Sequence, residues 1–221
     1  MPRGRFITLE GGEGCGKTTQ SRRLASWLES LGVETVLVRE PGGTPLGEEI
    51  RRLLKGAPGT PGPCDRAELL LFLAARAQLV RDTVRPALER GAWVVSDRFS
   101  DSTLAYQGAG RGLPGGFVAG AVAFACDGVA PDLTLLLRAP RETALARIGS
   151  RGEAADRIEA EGEAFHARIA ECFDSLAREE PERIVPVDAS GAPDEVAALV
   201  QKTVLERLAP GRAATMKATG G

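Results

Sequence analysis

Residues 11–18 read Gly-Gly-Glu-Gly-Cys-Gly-Lys-Thr, and this stretch sets the fold class expected for the whole chain. Gly11 is followed by four residues and then by Gly16-Lys17-Thr18, which is the spacing of a phosphate-binding loop. An apolar run at 6–9 precedes the loop, and a helical pattern begins near Thr19. A glycine-rich turn that merely joins a strand to a helix would not need the Lys-Thr pair. The segment therefore predicts binding of a nucleoside triphosphate.

The chemistry of this loop follows from its residue types. Glycines let the backbone curl so that successive N–H groups point at phosphate oxygens, and the next helix adds its positive N-terminal end. Lys17 supplies a cation for the β- and γ-phosphates, and the hydroxyl of Thr18 is a ligand for Mg²⁺. The predicted ATP-binding residues are Gly11, Gly12, Glu13, Gly14, Cys15, Gly16, Lys17, Thr18 and Thr19.

Short apolar runs alternate with longer helical patterns along the chain. The predicted strands are 5–9, 33–38, 92–96, 132–137 and 183–187, and the predicted helices are 17–31, 45–55, 65–89, 114–125, 141–149, 158–179 and 192–208. This alternation predicts an α/β fold, a doubly wound parallel five-stranded sheet flanked by helices, with ligands at the carboxyl ends of the strands. We expect one domain over 1–208 and a flexible tail over 209–221.

Composition narrows the possible partners and compartment. The chain has 221 residues and a formal net charge of −2, so no general positive field favours nucleic acid or anionic lipid. No apolar stretch approaches the roughly 20 residues that span a bilayer, and no signal peptide is evident. The four cysteines are dispersed, which favours free thiols over a zinc site. We therefore expect a cytoplasmic protein without nucleic-acid or membrane partners.

Two polar segments precede the middle of the chain. Arg39-Glu-Pro-Gly-Gly-Thr44 follows the second predicted strand, with Arg51 in the helix after it; a plain strand–turn–helix junction is the alternative. Phe72 and Arg76 are spaced i, i+4 and share one helix face, where a ring and a guanidinium can recognise a planar base. On spacing alone, core packing with a surface arginine remains open.

Two further segments carry charge. Asp97 ends a buried strand beside the phosphate loop, which suits a carboxylate near Mg²⁺, and Arg98 can hold a phosphate; a structural Asp–Arg pair is the alternative. Arg147, Arg151 and Arg157 repeat around Gly149 and Gly152. Arginines interleaved with glycines are typical of a mobile lid, here over about 141–158, although an exposed charged loop has the same pattern.

Taken in order, these motifs resemble bacterial thymidylate (dTMP) kinase. The resemblance rests on 6–11 (Phe-Ile-Thr-Leu-Glu-Gly), 39–44, Ala74-Ala75-Arg76, Asp97-Arg98 and Ser102 through Arg111, and it extends from about residue 5 to about residue 190. It implies a nucleotide-kinase fold of the P-loop NTPase type with a mobile lid. It also implies the reaction ATP + dTMP → ADP + dTDP, with Mg²⁺ as cofactor.

The resemblance also implies individual roles. Glu13 matches the acid that contacts the 3′-hydroxyl of the deoxyribose, Phe72 the ring that stacks on thymine, and Arg76 the group that binds its exocyclic oxygen. Arg98 matches a clamp between the donor and acceptor phosphates. The implied dTMP-binding residues are Glu13, Arg51, Phe72, Arg76, Arg98, Ser102, Tyr106 and Gln107, and the implied catalytic residues are Lys17, Asp97, Arg98 and Arg151. Thr18 and Asp97, the latter directly or through water, are the implied metal ligands.

The source of the catalytic arginine separates subtypes of this family. The phosphate loop here has no arginine, whereas the predicted lid has three. The chain thus resembles the bacterial subtype with lid arginines, for which Arg151 is our first choice and Arg147 is assigned to ATP. The resemblance further implies a homodimer, formed through apolar helix faces in the middle of the chain.

Two rival functions are separable by sequence. A guanine-specific switch protein usually carries Asn-Lys-x-Asp, and this chain contains no asparagine. Another P-loop nucleotide or deoxynucleoside kinase is the nearer alternative. The segments 39–44 and 97–111 favour a monophosphate acceptor, because more arginines converge there than a neutral sugar hydroxyl would need.

Overall fold

The computed structural model describes residues 3–56, 61–150 and 157–208. Within these ranges the strands form one five-stranded sheet with parallel pairings in the order β2-β3-β1-β4-β5. The predicted doubly wound five-stranded sheet is confirmed, and each strand begins one or two residues later than predicted. The strands are β1 (Phe6–Glu10), β2 (Thr35–Arg39), β3 (Trp93–Asp97), β4 (Leu133–Arg138) and β5 (Ile184–Asp188).

The strand order brings the chemistry-bearing segments to one edge. β1 lies at the centre of the sheet, between β3 and β4. Leu9 is in register with Asp97 on one side and with Leu135 on the other. Because all five strands are parallel, the loop after β1 emerges beside the carboxyl ends of β3 and β4. Ligand sites of open α/β sheets lie at this edge.

Helices cover both faces of the sheet. Successive side chains of a strand point to opposite faces. Ile7 and Leu9 pack in a core cluster with residues of α1 and α9, whereas Phe6 and Val94 pack in a cluster with residues of α3 and α6. Burial on both faces explains the near-continuous apolar strands. The helices are α1 (Lys17–Ser30), α2 (Pro45–Lys55), α3 (Asp65–Leu79), α4 (Arg85–Glu89), α5 (Ser100–Thr103), α6 (Gly115–Cys126), α7 (Arg141–Gly149), α8 (Glu163–Glu179) and α9 (Pro193–Leu208).

The helical prediction differs from the structure in three places. The predicted helix 65–89 is continuous but contains a π-helical segment, Val80–Val84, one turn before Pro86, whose missing N–H interrupts the regular ladder. No helix is predicted for the stretch that forms α5 and, directly after it, a second π-helical segment, Leu104–Gly110. α8 begins at Glu163 rather than 158, because Gly162 precedes its first turn.

Two predicted segments reach beyond the described ranges. The tail 209–221 lies outside them, as does 151–156, the central part of the predicted lid at 141–158. The single domain over 1–208 and the mobility of the lid therefore stay predictions. None of the helices in the described ranges is long and apolar enough to cross a membrane.

Candidate active site

The phosphate loop leaves β1 at Glu10 and enters α1 at Lys17. Two of its glycines are required by close backbone contacts. At Gly11, with φ +133°, a Cβ would lie 2.4 Å from the carbonyl oxygen of Leu137, and at Gly14, with φ +72°, it would lie 2.3 Å from that of Ala144. Gly14 is therefore the point at which the loop touches α7, the helix that begins the predicted lid.

Lys17 lies inside the curl of the loop. Its side chain is buried, and Nζ donates to the carbonyl oxygens of Gly11 at 3.1 Å and Gly12 at 2.6 Å. The Sγ of the buried Cys15 lies 3.5 Å from the same Nζ. Three of the predicted ATP-binding residues, Gly11, Gly12 and Cys15, thus contact the Lys17 ammonium group. Gly12, Thr18 and Thr19 are exposed at this site.

Thr18 and Asp97, the two predicted metal ligands, are brought together. The Thr18 hydroxyl donates to Asp97 Oδ2 at 2.5 Å, joining the first turn of α1 to the end of β3. Among the described residues, no group of three or more His, Cys, Asp or Glu side chains could hold a metal ion. Two oxygen ligands without a complete protein cage suit Mg²⁺, which usually keeps several waters and takes phosphate oxygens as ligands.

Arg98 is the most constrained cation at this edge. Its backbone is left-handed, with φ +73°, a conformation that costs a non-glycine residue roughly 1–2 kcal/mol. Its guanidinium donates to Glu13 Oε1 at 2.5 Å, to Ser102 Oγ at 3.0 Å and to the carbonyl oxygen of Gly11 at 3.3 Å. Burial alone would lower the pKa of Arg98, but Glu13 and other negative groups hold it well above its usual value. The cation is therefore permanent and its position is fixed.

Tyr106 completes this group. The Arg98 guanidinium carbon lies 4.8 Å from the centre of the Tyr106 ring, a cation–π contact. The Tyr106 hydroxyl donates to Glu13 Oε1 at 3.0 Å, and burial raises its pKa well above the ordinary value. The structure thus joins four residues that are predicted separately along the sequence: Glu13, Arg98, Ser102 and Tyr106.

Arg76 lies in α3, 1% exposed and paired with the buried Glu40. Its Nε and Nη2 donate to Glu40 Oε2 at 2.9 and 2.6 Å, and Nη2 also donates to the carbonyl oxygen of Phe99 at 3.0 Å. Burial raises the pKa of Glu40, and Arg76 opposes that shift. Arg76 Nη1 is buried and has no hydrogen-bond partner among the described residues. An unpaired buried donor is uncommon, and a water or an acceptor atom of a ligand can satisfy it.

Phe72 and Arg51 lie on the helices beside this pair. Phe72, one turn before Arg76 in α3, is half-buried against Ile50 and Leu54 of α2. Arg51 of α2 donates from Nη1 to the carbonyl oxygen of Pro41 at 3.0 Å. The core-packing alternative for Phe72 and the acceptor role are both compatible with this half-buried position.

Glu68 is a residue that sequence reasoning missed. It is fully buried, one helical turn before Phe72, and accepts from Gln107 Nε2 at 2.8 Å, from Arg111 and from Arg157. Burial would raise the pKa of Glu68, but these hydrogen bonds lower it. The i, i+4 spacing of positions 68, 72 and 76 is the signal that could have identified it.

The three predicted lid arginines have different surroundings. Arg147 of α7 donates to the carbonyl oxygens of Ala189 at 2.8 Å and Gly191 at 2.9 Å, on the loop after β5. Arg157 pairs with Glu68 on the opposite side of the site. Arg151, our first choice for the catalytic arginine, lies outside the described residues.

Comparison with known proteins agrees with this geometry. The family model described as thymidylate kinase matches residues 9–200. The chain is 49% identical over 210 residues to the thymidylate kinase of Chromohalobacter salexigens, covering 95% of this chain and 99% of that protein. It is 50% identical over 189 residues to that of Alkalilimnicola ehrlichii, covering 86% and 87%. A crystal structure of thymidylate kinase from Ehrlichia chaffeensis superimposes with a TM-score of 0.74 at 32% identity, covering 92% of this chain and 100% of that one.

The contact between Gly14 and Ala144 makes a stability prediction. We expect Gly14→Ala to lower the free energy of unfolding, measured by urea denaturation, by about 1–3 kcal/mol more than Gly32→Ala does. Gly32 is the matched control, because its φ of +77° resembles the +72° of Gly14 but no atom lies within 4 Å of its Cβ position. Gly32→Ala therefore reports backbone strain alone, about 1 kcal/mol. Equal losses in the two variants would contradict the close contact.

Proposed function

This chain belongs to the thymidylate kinase family, and we propose that its catalysis depends mainly on positive charge held at the carboxyl edge of the sheet. The enzyme transfers a phosphoryl group from ATP to dTMP, giving dTDP and ADP. The alternative of another nucleotide or deoxynucleoside kinase is set aside. Phosphoryl transfer needs little covalent chemistry from the protein, so alignment and charge neutralisation are the main tasks.

On the donor side, we assign the phosphates of ATP to residues 11–19. Backbone N–H groups and the start of α1 favour anions there. Lys17 would exchange its contacts to the carbonyl oxygens of Gly11 and Gly12 for the β- and γ-phosphates. Arg147 is assigned to the nucleotide as well, on the side of the loop after β5 that it contacts.

We assign Mg²⁺ to Thr18 and Asp97, with Asp97 acting directly or through water. The support is their pair of oxygen atoms 2.5 Å apart beside the phosphate loop. Thr18 and Asp97 would hold the ion, and when bound it would neutralise negative charge that develops during transfer.

Arg98 is the proposed clamp between the donor and acceptor phosphates. The observation that carries this assignment is its guanidinium, which is hydrogen-bonded to Gly11 and Glu13 of the phosphate loop on one side and to Ser102 of α5 on the other. The acceptor phosphate is already anionic and a competent nucleophile, so no general base is needed. Arg151 stays the proposed lid arginine that adds charge at the transferring phosphoryl group.

The clamp assignment predicts a loss of turnover. In Arg98→Ala we expect kcat, measured by coupled ADP release with ATP, Mg²⁺ and dTMP, to fall by about a hundredfold or more, because preorganised charge is lost. Arg90→Ala is the control, since Arg90 pairs only with the exposed Glu34 in the described structure. Near-normal kcat in Arg98→Ala would refute the assignment.

On the acceptor side, we assign the thymine ring to Phe72 and its exocyclic oxygen to Arg76. The support is the buried Nη1 donor of Arg76 without a partner among the described residues, one turn from Phe72 on the same helix. Glu13 is assigned to the 3′-hydroxyl and Tyr106 to screening against a 2′-hydroxyl. Arg51 and Ser102 are assigned to the acceptor nucleotide, and Gln107 lies near the base.

The stacking assignment predicts a selective effect on dTMP binding. We expect Phe72→Ala to raise the KM for dTMP by about tenfold with a smaller change in the KM for ATP, because one ring–base stack is worth roughly 1–3 kcal/mol. Leu71→Ala is the matched control, since Leu71 packs against the same small cluster of Ile50, Leu54 and Ala75. An equal rise in KM for dTMP in both variants would show that lost packing, not lost stacking, is responsible.

We also propose a homodimer formed through α6 and its neighbours. Phe117 and Phe124 of α6 are 63% and 87% exposed and lie seven residues apart, on one helix face. Leu70 of α3, a helix packed against α6, is 60% exposed. Large apolar side chains grouped on a surface are typical of interaction sites.

The dimer assignment predicts a change in molar mass. We expect the wild type to have twice the chain mass of 23.2 kDa by light scattering, and Phe124→Glu to shift it to the single-chain value at low micromolar concentration. Leu199→Glu is the control, because Leu199 is 42% exposed on α9, on the other face of the sheet. A mass that is unchanged in Phe124→Glu would place the interface elsewhere.

A cytoplasmic location is part of the same proposal. All four cysteines are free thiols in the structure, as expected in a reducing compartment. ATP and deoxynucleoside monophosphates are available there.

A further inference from the structure

Glu10 is a fully buried carboxylate at the end of β1, directly before the phosphate loop. Its Oε1 accepts from the backbone N–H of Phe99 at 2.7 Å and of Ser102 at 3.3 Å, and its Oε2 accepts from the Ser102 hydroxyl at 2.5 Å. Burying a charge is costly unless it is well hydrogen-bonded. None of the roles proposed above uses this residue.

The contacts of Glu10 lie on the segment that follows Arg98. Phe99 is the N-cap residue of α5, and its side chain accepts no hydrogen bond from the first turn of the helix. The Glu10 carboxylate accepts the backbone N–H groups of Phe99 and Ser102 instead. On the other side of the turn, the Ser96 hydroxyl donates to the carbonyl oxygen of Arg98 at 2.6 Å. Strained backbone persists only where its surroundings over-determine it. The left-handed turn at Arg98 is therefore held from both sides.

A second link runs through side chains. The Ser102 hydroxyl that donates to Glu10 also accepts from Arg98 Nη1 at 3.0 Å. Because a hydroxyl has one proton, its donation to Glu10 leaves its lone pairs for the guanidinium. The ionised carboxylate thereby fixes the direction in which the Ser102 hydroxyl donates, and it also holds the backbone of the turn.

We infer that Glu10 is a positioning residue for the phosphoryl-transfer step, one that holds Arg98 in place through the backbone of Phe99 and the hydroxyl of Ser102. The inference rests on the clamp role proposed for Arg98. Glu10 touches neither substrate in this account. Its effect reaches the reaction only through the position of the Arg98 guanidinium.

The charged groups that face Glu10 come from three elements. Asp101 of α5 repels it, while Arg98 and, from α3, Arg76 attract it. Burial, followed by the charge of Asp101, raises the pKa of Glu10 to about 7, although Ser102, Arg98 and the Phe99 N–H oppose the shift. Asp101 itself is paired with Arg183.

This environment gives activity and stability opposite dependences on pH. A proton on Oε2 of Glu10 turns the acceptor of the Ser102 hydroxyl into a donor, so the link from Glu10 through Ser102 to Arg98 is present above about pH 7 and is lost below it. Stability behaves the other way, because the folded pKa lies above the unfolded value of 4.5. The folded state then binds the proton more tightly, and the contribution of Glu10 to stability falls as the pH rises from 4.5 to about 7.

The test compares wild type and Glu10→Gln in kcat and in thermal unfolding between about pH 6 and about pH 8. We expect kcat of Glu10→Gln at about pH 8 to be at least about tenfold below wild type, since small misplacements of a catalytic group cost this much or more. The ratio of the two kcat values should approach one towards pH 6; ionisation of dTMP affects both enzymes and cancels. The Tm of wild type minus that of Glu10→Gln should decrease as the pH rises.

Further variants separate the possible outcomes. Asp132→Asn is the matched control, since Asp132 Oδ2 accepts the backbone N–H of Phe6 at 2.7 Å at the opposite edge of the sheet; its kcat ratio to wild type should not vary with pH.

If Glu10→Gln does not fold, Glu10→Asp replaces it and should lower kcat while keeping the pH dependence. Normal kcat in Glu10→Gln with impaired Arg98→Ala would overturn this inference alone. Normal kcat in Arg98→Ala would overturn the clamp itself, and parallel losses of kcat and Tm at every pH would reduce Glu10 to a structural role.

Discussion

Arginine side chains that are wholly or partly withdrawn from solvent need anionic partners, and this requirement determines the arrangement of side chains at the carboxyl edge of the sheet. Removing one member of a buried ion pair leaves an uncompensated charge, which costs about 3–5 kcal/mol. Arg76 is buried and three further arginines are half-buried, and each of the four is paired with an acid from a distant part of the chain. The pairs are Arg76 with Glu40, Arg98 with Glu13, Arg157 with Glu68, and Arg183 with Asp101. These ion pairs connect the phosphate loop, α3 and the segments that follow β2 and β3, and we refer to them together as the electrostatic frame.

This frame has a direct relation to the chemistry. A phosphate group that enters the site meets guanidinium groups whose orientation is already set, so little reorganisation is needed when charge develops. The same pairing gives each of these four cations an anionic partner within the protein. Arg76 illustrates the balance, because two of its nitrogen atoms are used by the protein while Nη1 is left unpaired in the described structure.

Features that depend on residues close together in the sequence could be predicted from the sequence. The phosphate loop, the five strands and the meeting of Thr18 with Asp97 follow from a short motif, apolar runs and the rule that parallel strands end at one edge. The i, i+4 spacing with Phe72 and Arg76 could have pointed to Glu68, but its hydrogen bonds could not be predicted, because Gln107, Arg111 and Arg157 lie about 40 to 90 residues away in the sequence. The π-helical segment 104–110 was missed for a related reason. Its glycines favour a loop locally, and packing against α8 overrides that preference, with Gly110 leaving room for Phe165.

The close approach of the phosphate loop to α7 has an evolutionary consequence. Gly14 meets the main-chain carbonyl of Ala144, so the contact depends on the absence of a side chain at position 14 but not on which side chain occupies position 144. Since none of the residues of α7 is buried, its side chains can be substituted without changing the main-chain contact between the helix and the phosphate loop. The charge pattern of this helix can thus differ between relatives while its close approach to the phosphate loop is kept.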